Sequence, residues 1–431
     1  MTERRIRIDV PALTRVEGEG SLRLEVVNGQ LVELGLSIFE PPRYFEKFLE
    51  GRDAHEVVDI VARICGICPI AYQVSALNAL ESLAKDPLPH WVQKLRRLFY
   101  CGEWLQSHAL HIHLLALPDF LGFDSAIAMA EQHPETVRRG MQFQALGNEL
   151  IRLLGGRSVH PVGARIGGFH RAPEPEQISP LLDRLREAQP LARDLTAFCS
   201  GLDLPDDPQD FISIALTHPD RYAIESGRLI TSTGLSLGVE EFEQHFHEHH
   251  KPDSTALWSD LNGEPYLTGP LARLNLNHEH LPPAIQQSLK ATGLQLPSNN
   301  MFHSLIARAL EIELVIHEAI DILQDYEYPA APCPQPELSA GVCFGMSEAP
   351  RGLLWHRYEV GPDQRIKAAR IVPPTSQNQA RIEADLYRSL TAFGLNRDEE
   401  SLRLRAEQVI RNYDPCISCA THFLRLDMRR S

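Results

Sequence analysis

RICGICP, residues 63–69, and DPCISCATH, residues 414–422, carry the most specific chemistry in this chain. Each holds a C-x-x-C turn, which brings two sulfurs close enough to grip one metal ion. Together they offer four thiolates: Cys65, Cys68, Cys416 and Cys419. Such a set suits zinc, an iron–sulfur cluster, or a softer nickel or copper site. A single C-x-x-C in a large protein has two lesser readings, a dithiol redox pair or two merely buried cysteines. Zinc ribbons and fingers usually hold both pairs within about 20 residues, because there the metal replaces a missing core. Here the pairs stand at opposite ends of 431 residues, a length that supports its own core. A metal tying the two ends together is better explained by function than by stability. Each pair has a proline beside a ligand, Pro69 and Pro415. His422 follows Cys419 closely, as a fifth ligand or as a ligand of a second, harder ion.

Composition narrows the class. Hydrophobic residues make up 43% and charged residues 23%, a normal globular balance. The 42 basic and 57 acidic side chains leave a formal charge of -15, which argues against nucleic acid or an anionic membrane surface as main partner. No apolar run approaches the roughly 20 residues of a membrane span. The N-terminal MTERRIRIDV lacks the apolar segment of a secretory signal. The expectation is a cytoplasmic protein that does not span a membrane. Eight cysteines are too few for a disulfide scaffold, so the paired ones read as metal or redox chemistry.

Apolar and polar residues alternate on both sides of Asn28-Gly29, which predicts a hairpin with a type I′ turn. Residues 1–40 therefore open the fold with a small antiparallel sheet. Helical spacing fills about 44–200: two short helices, then longer ones over about 69–85, 89–117, 126–154 and 175–200, enough for a bundle. Residues about 204–297, rich in Pro, Gly, Asp and His, read as a mixed insertion with strand-like pieces such as RLITSTGLSLG. The region about 300–422 is helical and β: a helix over about 300–326, a Pro-rich linker EYPAAPCPQPE, a hairpin of RGLLWHRYEV with QRIKAARIVPP, and helices over 378–393 and 399–412. The expected fold class is mainly α with small antiparallel β elements (α+β) around a central long-helix bundle. Residues 1–422 form one domain and 423–431 a tail.

The two cysteine motifs resemble the signature motifs of the large subunit of nickel–iron hydrogenases. LTRVEGEG resembles that family's N-terminal R-[IV]-E-G motif, and RYFEKFLEGRD its R-G-x-E segment, with Tyr44 in place of the glycine. QSHALHIHLLALPDF, GGRSVHPVGARIGG, EAPRGLLWH and PPTSQN are similar to further family blocks in the same order, so the resemblance covers essentially the full length. One position departs. Many members carry a histidine where Tyr72 stands, four residues after Cys68. This tyrosine resembles the cytoplasmic NADP-linked, or sulfhydrogenase, branch, and no role of that histidine carries over.

The resemblance implies reversible heterolytic cleavage of dihydrogen to two protons and two electrons. It implies Cys65, Cys68, Cys416 and Cys419 as nickel ligands, with Cys68 and Cys419 bridging to an iron that carries carbon monoxide and cyanide. Thiolates suit so soft a metal pair. Cys416 is the implied first proton acceptor and Glu17 the next relay carboxylate. Arg351 is implied as the cation beside the iron and its cyanides. Thr375 is implied as a hydroxyl donating to a cyanide, and Asp119 as an acid holding the arginine or a cysteine. Glu46, the backbone carbonyl of Ile371 and His422 are implied ligands of magnesium. FLRLDMRRS is implied to be an extension that an endopeptidase removes, cutting between His422 and Phe423 once nickel is loaded.

Four cysteines at the nickel leave no Cys-rich cluster site for electron exit. An iron–sulfur small subunit is therefore an obligate implied partner. The chain has no G-x-G-x-x-G fingerprint, so flavin and NAD(P) belong to further subunits, and a maturation chaperone is implied beside the endopeptidase. Three other functions compete. A hydrogen-sensing regulatory subunit of the same fold is disfavoured by the tail. The quinone-side subunit of respiratory complex I is disfavoured by the four cysteines. A zinc-stabilised structural protein is disfavoured by spacing and length.

Overall fold

The computed structural model describes residues 4–252, 254–329 and 335–421. His422, Phe423 and the rest of the expected tail, and Cys333 in the Pro-rich stretch, lie outside the described residues.

Four long helices form the centre: His90–Leu110, Pro134–Gly155, Pro175–Ser200 and Ser304–Gln324. His90–Leu110 packs along Pro134–Gly155 and Ser304–Gln324, and Ser304–Gln324 along Pro175–Ser200. The first pair meets at glycines. A Cβ on Gly147 would sit 2.6 Å from the Gly102 carbonyl oxygen. Ser304–Gln324 is buried on every face from Ser304 to Ile316, so its apolar residues are not confined to one stripe and Arg308, Glu311 and Glu313 are buried among them. The helix expected over 126–154 is two helices. Ala126–Gln132 ends at His133, and Pro134 takes the first position of the next, where its missing N–H costs nothing. The helix expected to end near 117 continues through a π-helical turn, His111–Ala116, into Leu117–Leu121. Among the described residues no single helix is long and apolar enough to cross a membrane.

The N-terminal hairpin has the expected turn, with Asn28 at φ 51° and Gly29 at φ 77°. A further strand, Arg5–Val10, joins Gly20–Val27 and Gln30–Ile38 in a three-stranded antiparallel sheet. The second hairpin is also part of three strands, Gly341–Ala349, Gly352–Val360 and Ile366–Val372. Gly341–Ala349 lies hard against the helix Pro69–Glu81: a Cβ on Gly345 would fall 2.0 Å from the Ser75 carbonyl oxygen. The insertion between holds small sheets, one with a parallel pair between Ser213–Thr217 and Leu267–Thr268.

Helices Pro374–Phe393 and Glu399–Asn412 pack on the N-terminal sheet through a second core that includes Leu22, Leu24, Leu386 and Ile410. That packing brings the two ends of the chain together. The Ile417 N–H donates to the Glu17 carbonyl at 3.0 Å, closing a parallel bridge between Glu17 and Cys416.

Candidate metal centre

Cys65 follows the helix Val57–Val61, and Cys68 is the residue just before Pro69–Glu81. Cys416 and Cys419 belong to the turn that follows Glu399–Asn412. The four thiols are buried. Cys65 Sγ is 3.3 Å from Cys416 Sγ, Cys68 Sγ is 3.5 Å from Cys419 Sγ, and Cys416 and Cys419 are 3.0 Å apart. Among the described residues this is the one group of three or more metal-ligating side chains gathered within 4.8 Å.

Backbone contacts preset both turns. Cys65 Sγ accepts from the N–H groups of Ile67 at 3.3 Å and Cys68 at 3.4 Å. The Cys416 N–H donates to Thr375 Oγ1 at 3.0 Å. Glu103, fully buried, accepts from the N–H groups of Ile70 at 2.6 Å and Ala71 at 3.0 Å, the orphan donors of the helix that Cys68 begins. Glu103 was not foreseen from the sequence. Its signal there is faint: one acid within a stretch of helix that is otherwise apolar or aromatic.

The donor set fits a soft transition-metal centre. Four sulfurs in a dry pocket cannot all keep or all lose their protons at ease. Burial pushes the Cys416 thiol up, while hydrogen bonds from the other three thiols hold Cys65 down. Arg351 is buried with them. Its Nε donates to the Asp414 carbonyl at 2.7 Å and its Nη2 to Asp414 Oδ1 at 3.1 Å, leaving Nη1 without a hydrogen-bond partner among the described residues. Burial opposes the Arg351 charge, but Asp414 and the sulfurs of Cys416, Cys68 and Cys65 outweigh it and keep the guanidinium protonated. A lone buried donor beside a sulfur cluster is a place for an anionic ligand.

Glu17 is the carboxylate nearest the cluster. Its Oε2 accepts from Cys416 Sγ at 3.1 Å and from the Ser418 N–H at 3.1 Å, and its Oε1 from the Ser418 hydroxyl. Ser418 Oγ is also 3.5 Å from Glu40 Oε2. Burial raises the Glu17 carboxyl above its ordinary range.

Asp119 does not hold Arg351 or a cysteine. It pairs with Arg15 and, through both oxygens at 3.0 Å, with Arg411. The acid at Arg351 is Asp414, immediately before Pro415 and Cys416. Arg15 sits at φ 60°, a turn conformation that sends the chain toward Asp119 and that no pattern in the sequence signals.

Glu46 and Ile371 meet: the Ile371 N–H donates to Glu46 Oε1 at 2.7 Å. Burial lifts the Glu46 carboxyl to about 8, and Glu248 adds to the rise. Arg370, paired with Glu248 at 3.2 Å, partly offsets that rise. The third expected member, His422, lies outside the described residues. Tyr72 is buried against the His356 ring at 5.7 Å, and its hydroxyl has no nitrogen or oxygen partner among the described residues. Burial pushes this hydroxyl up, and the sulfurs of Cys419, Cys68 and Cys65 add to the rise, with the Cys419 thiol within its reach.

A family profile for nickel-dependent hydrogenase matches residues 43–140 and 242–422. Sulfhydrogenase 1 subunit alpha of Pyrococcus furiosus is 32% identical, over 97% of this chain and 98% of that one. The NAD-reducing hydrogenase HoxS subunit beta of Cupriavidus necator is 26% identical over 97% of this chain and 95% of its own length. Among solved structures, an NAD+-reducing [NiFe]-hydrogenase in the H2-reduced state superposes with a TM-score of 0.85 at 27% identity, covering 97% of this chain and 99% of that chain. The Ni-Fe-Se hydrogenase of D. vulgaris Hildenborough shares the fold, with a TM-score of 0.79 at 22% identity over 98% of this chain and 100% of that one. The chain belongs to the nickel-dependent hydrogenase family, as a large subunit.

Proposed function

We propose that this chain splits dihydrogen reversibly at a Ni–Fe centre that Cys65, Cys68, Cys416 and Cys419 would hold. The observation that carries the reading is the Cys416 thiol, buried in the cluster and 3.1 Å from a half-buried carboxylate, Glu17. When bound, the metals supply a soft Lewis-acid site that polarises dihydrogen and takes up its two electrons.

The protein's own part is to move the proton and to balance charge. Cys416 Sγ receives the proton and hands it to Glu17 Oε2. The raised affinity of Glu17 for a proton suits it to relay near neutral pH. Ser418 Oγ touches Glu17 and reaches toward Glu40, which is partly exposed, so the relay runs Glu17 to Ser418 to Glu40 and out to water. Arg351, fixed by Asp414, offers Nη1 to carbon monoxide and cyanide ligands of the iron. Thr375 accepts from Cys416 N–H and keeps its own hydrogen for a cyanide nitrogen. Glu46, the Ile371 carbonyl and His422 would hold magnesium.

Electrons leave through an iron–sulfur small subunit. The NAD-reducing relatives support flavin subunits and NAD(P) beyond it. A chaperone and an endopeptidase cutting between His422 and Phe423 complete the centre, in the cytoplasm.

Hydrogen–deuterium exchange between D2 and water, followed by mass spectrometry on the matured complex, tests the assignment. Exchange is expected in the wild type and absent in Cys65→Ser and Cys416→Ser. Full exchange in either variant overturns it.

A further inference from the structure

HFHEHH, residues 245–250, takes no part in the cysteine centre. Phe246–His250 pairs with Leu257–Leu261 so that His247 faces Asp260 and His249 faces Trp258. Alternation along the strand divides its side chains. Phe246 stacks on Phe242 at 4.3 Å, and Glu248 pairs with Arg370 at 3.2 Å, on the packed side. His247 and His249 share the other side and are about half exposed, while Asp260 between them is 17% exposed.

Both imidazoles already approach Asp260, each at its own carboxylate oxygen. His247 Nδ1 is 3.6 Å from Asp260 Oδ1, and His249 Nδ1 is 3.3 Å from Asp260 Oδ2. Both exceed the roughly 2.7–3.2 Å of an N–H···O hydrogen bond. They match the separation of about 3.4 Å between neighbouring ligand atoms of a tetrahedral ion with bonds of about 2.1 Å. The Gly263 N–H donates to Asp260 Oδ1 at 2.6 Å and fixes that carboxylate at the end of its strand. The nearby cation is held off: the Lys251 ammonium lies 3.1 Å over the Trp258 ring and 3.2 Å from Glu383.

We propose that His247, His249 and Asp260 form a surface site for one late first-row divalent ion, of the nickel, copper and zinc class that imidazole prefers. Two imidazoles two residues apart on one strand face are a chelate in waiting, and the carboxylate opposite supplies the third bond and offsets charge. The three ligand atoms do not all lie within 4.8 Å of one another, as those of the four cysteines do. Closing the site needs rotation of two half-exposed rings, of which His249 has the Trp258 ring as its neighbour at 6.4 Å. The hairpin also braces the cysteine centre, because Ala256 at its turn packs on Ile417 and Ala420. The ion would sit on the outside of the wall that carries Cys416 and Cys419.

Calorimetric titration of the matured complex with nickel(II) tests the site. The wild type is expected to take one further equivalent with micromolar affinity. His247→Ala, His249→Ala and Asp260→Asn should each weaken that binding at least ~10-fold. His250→Ala, exposed at the end of the strand and on the opposite face by alternation, should not. Dihydrogen uptake should be unchanged in all four variants, which checks their fold and keeps this result separate from the reading of the cysteine centre. Copper(II) at the site should show nitrogen hyperfine coupling from two imidazoles. No further equivalent in the wild type overturns the proposal. So does equal uptake by a His247→Ala/His249→Ala double variant, or equal loss in His250→Ala.

Discussion

Cys416 Sγ lies 3.1 Å from Glu17 Oε2, although 399 positions separate the two residues in the chain. The contact exists because the backbone of each end bridges to the other and because Ser418 holds both carboxylate oxygens in place. A carboxyl group tethered at three points beside a thiol is built to exchange a proton with it.

Glu17→Gln keeps the shape and the hydrogen bond from Ser418 but cannot carry the proton. Dihydrogen uptake by the matured complex is expected to fall by about 10²–10⁴-fold, with nickel content unchanged. Ser418→Ala should slow turnover less, since water can replace one hydroxyl. Wild-type rates in Glu17→Gln would contradict the relay.

Arg351→Lys retains the charge and loses the fork that Asp414 fixes. Activity is expected to drop by about 10²–10³-fold. Asp414→Asn should give a smaller drop, because Nε is still held by the Asp414 carbonyl at 2.7 Å. Uptake assays on both variants, with metal analysis, check the order.

Part of this centre was legible in the sequence. Ligand chemistry dictates cysteine, so four cysteines in two turns announce themselves wherever they lie. Glu17, Arg351 and Glu46 have no such signature, and only the resemblance to a family singled them out. Glu103, Ser418, Asp414 and Glu248 were not legible, because their roles arise where separate elements meet. Asp119 was misplaced for the same reason: its partner Arg411 lies 292 positions away. Most helices followed their apolar spacing, and Pro175–Ser200 and Glu399–Asn412 have the expected bounds. Arg5–Val10 was passed over, since its outward arginines look like a charged chain end until Gly20–Val27 pairs with it. Gly341–Ala349 was passed over because a strand with two glycines and weak alternation gives little signal.

Gly345→Ala tests the closeness of that strand to the helix behind Cys68. A methyl group has no room at 2.0 Å from the Ser75 carbonyl, so strand and helix must part. The cost is expected to be ~3 kcal/mol, read as a lower thermal midpoint of the subunit. An unchanged midpoint would contradict the packing.

The pH dependence of Glu46 has a definite sign. Burial raises its carboxyl from an ordinary 4.5 to about 8. Across that window the unfolded chain gives up a proton that the folded chain keeps, so Glu46 lowers stability as pH rises. The subunit stripped of divalent ions should lose thermal stability between about pH 5 and 8, and magnesium should restore it while releasing a proton. Glu46→Gln should flatten this part of the profile and abolish the magnesium response. A magnesium response that survives in Glu46→Gln would contradict the site.

Tyr72→Phe removes a buried hydroxyl with no nitrogen or oxygen partner among the described residues and only the Cys419 thiol within reach. The fold should be retained, since an unsatisfied buried hydroxyl costs stability by about 1–3 kcal/mol. Thermal unfolding should show an equal or higher midpoint. A marked loss would mean that the hydroxyl is bonded in the working enzyme.

The most direct test is an infrared spectrum of the chain matured with its partner, recorded before and after exposure to dihydrogen. The account predicts bands of metal-bound carbon monoxide and cyanide that shift under dihydrogen and are missing in Cys68→Ser. No such bands in an active preparation, or zinc alone on the four cysteines, would contradict it.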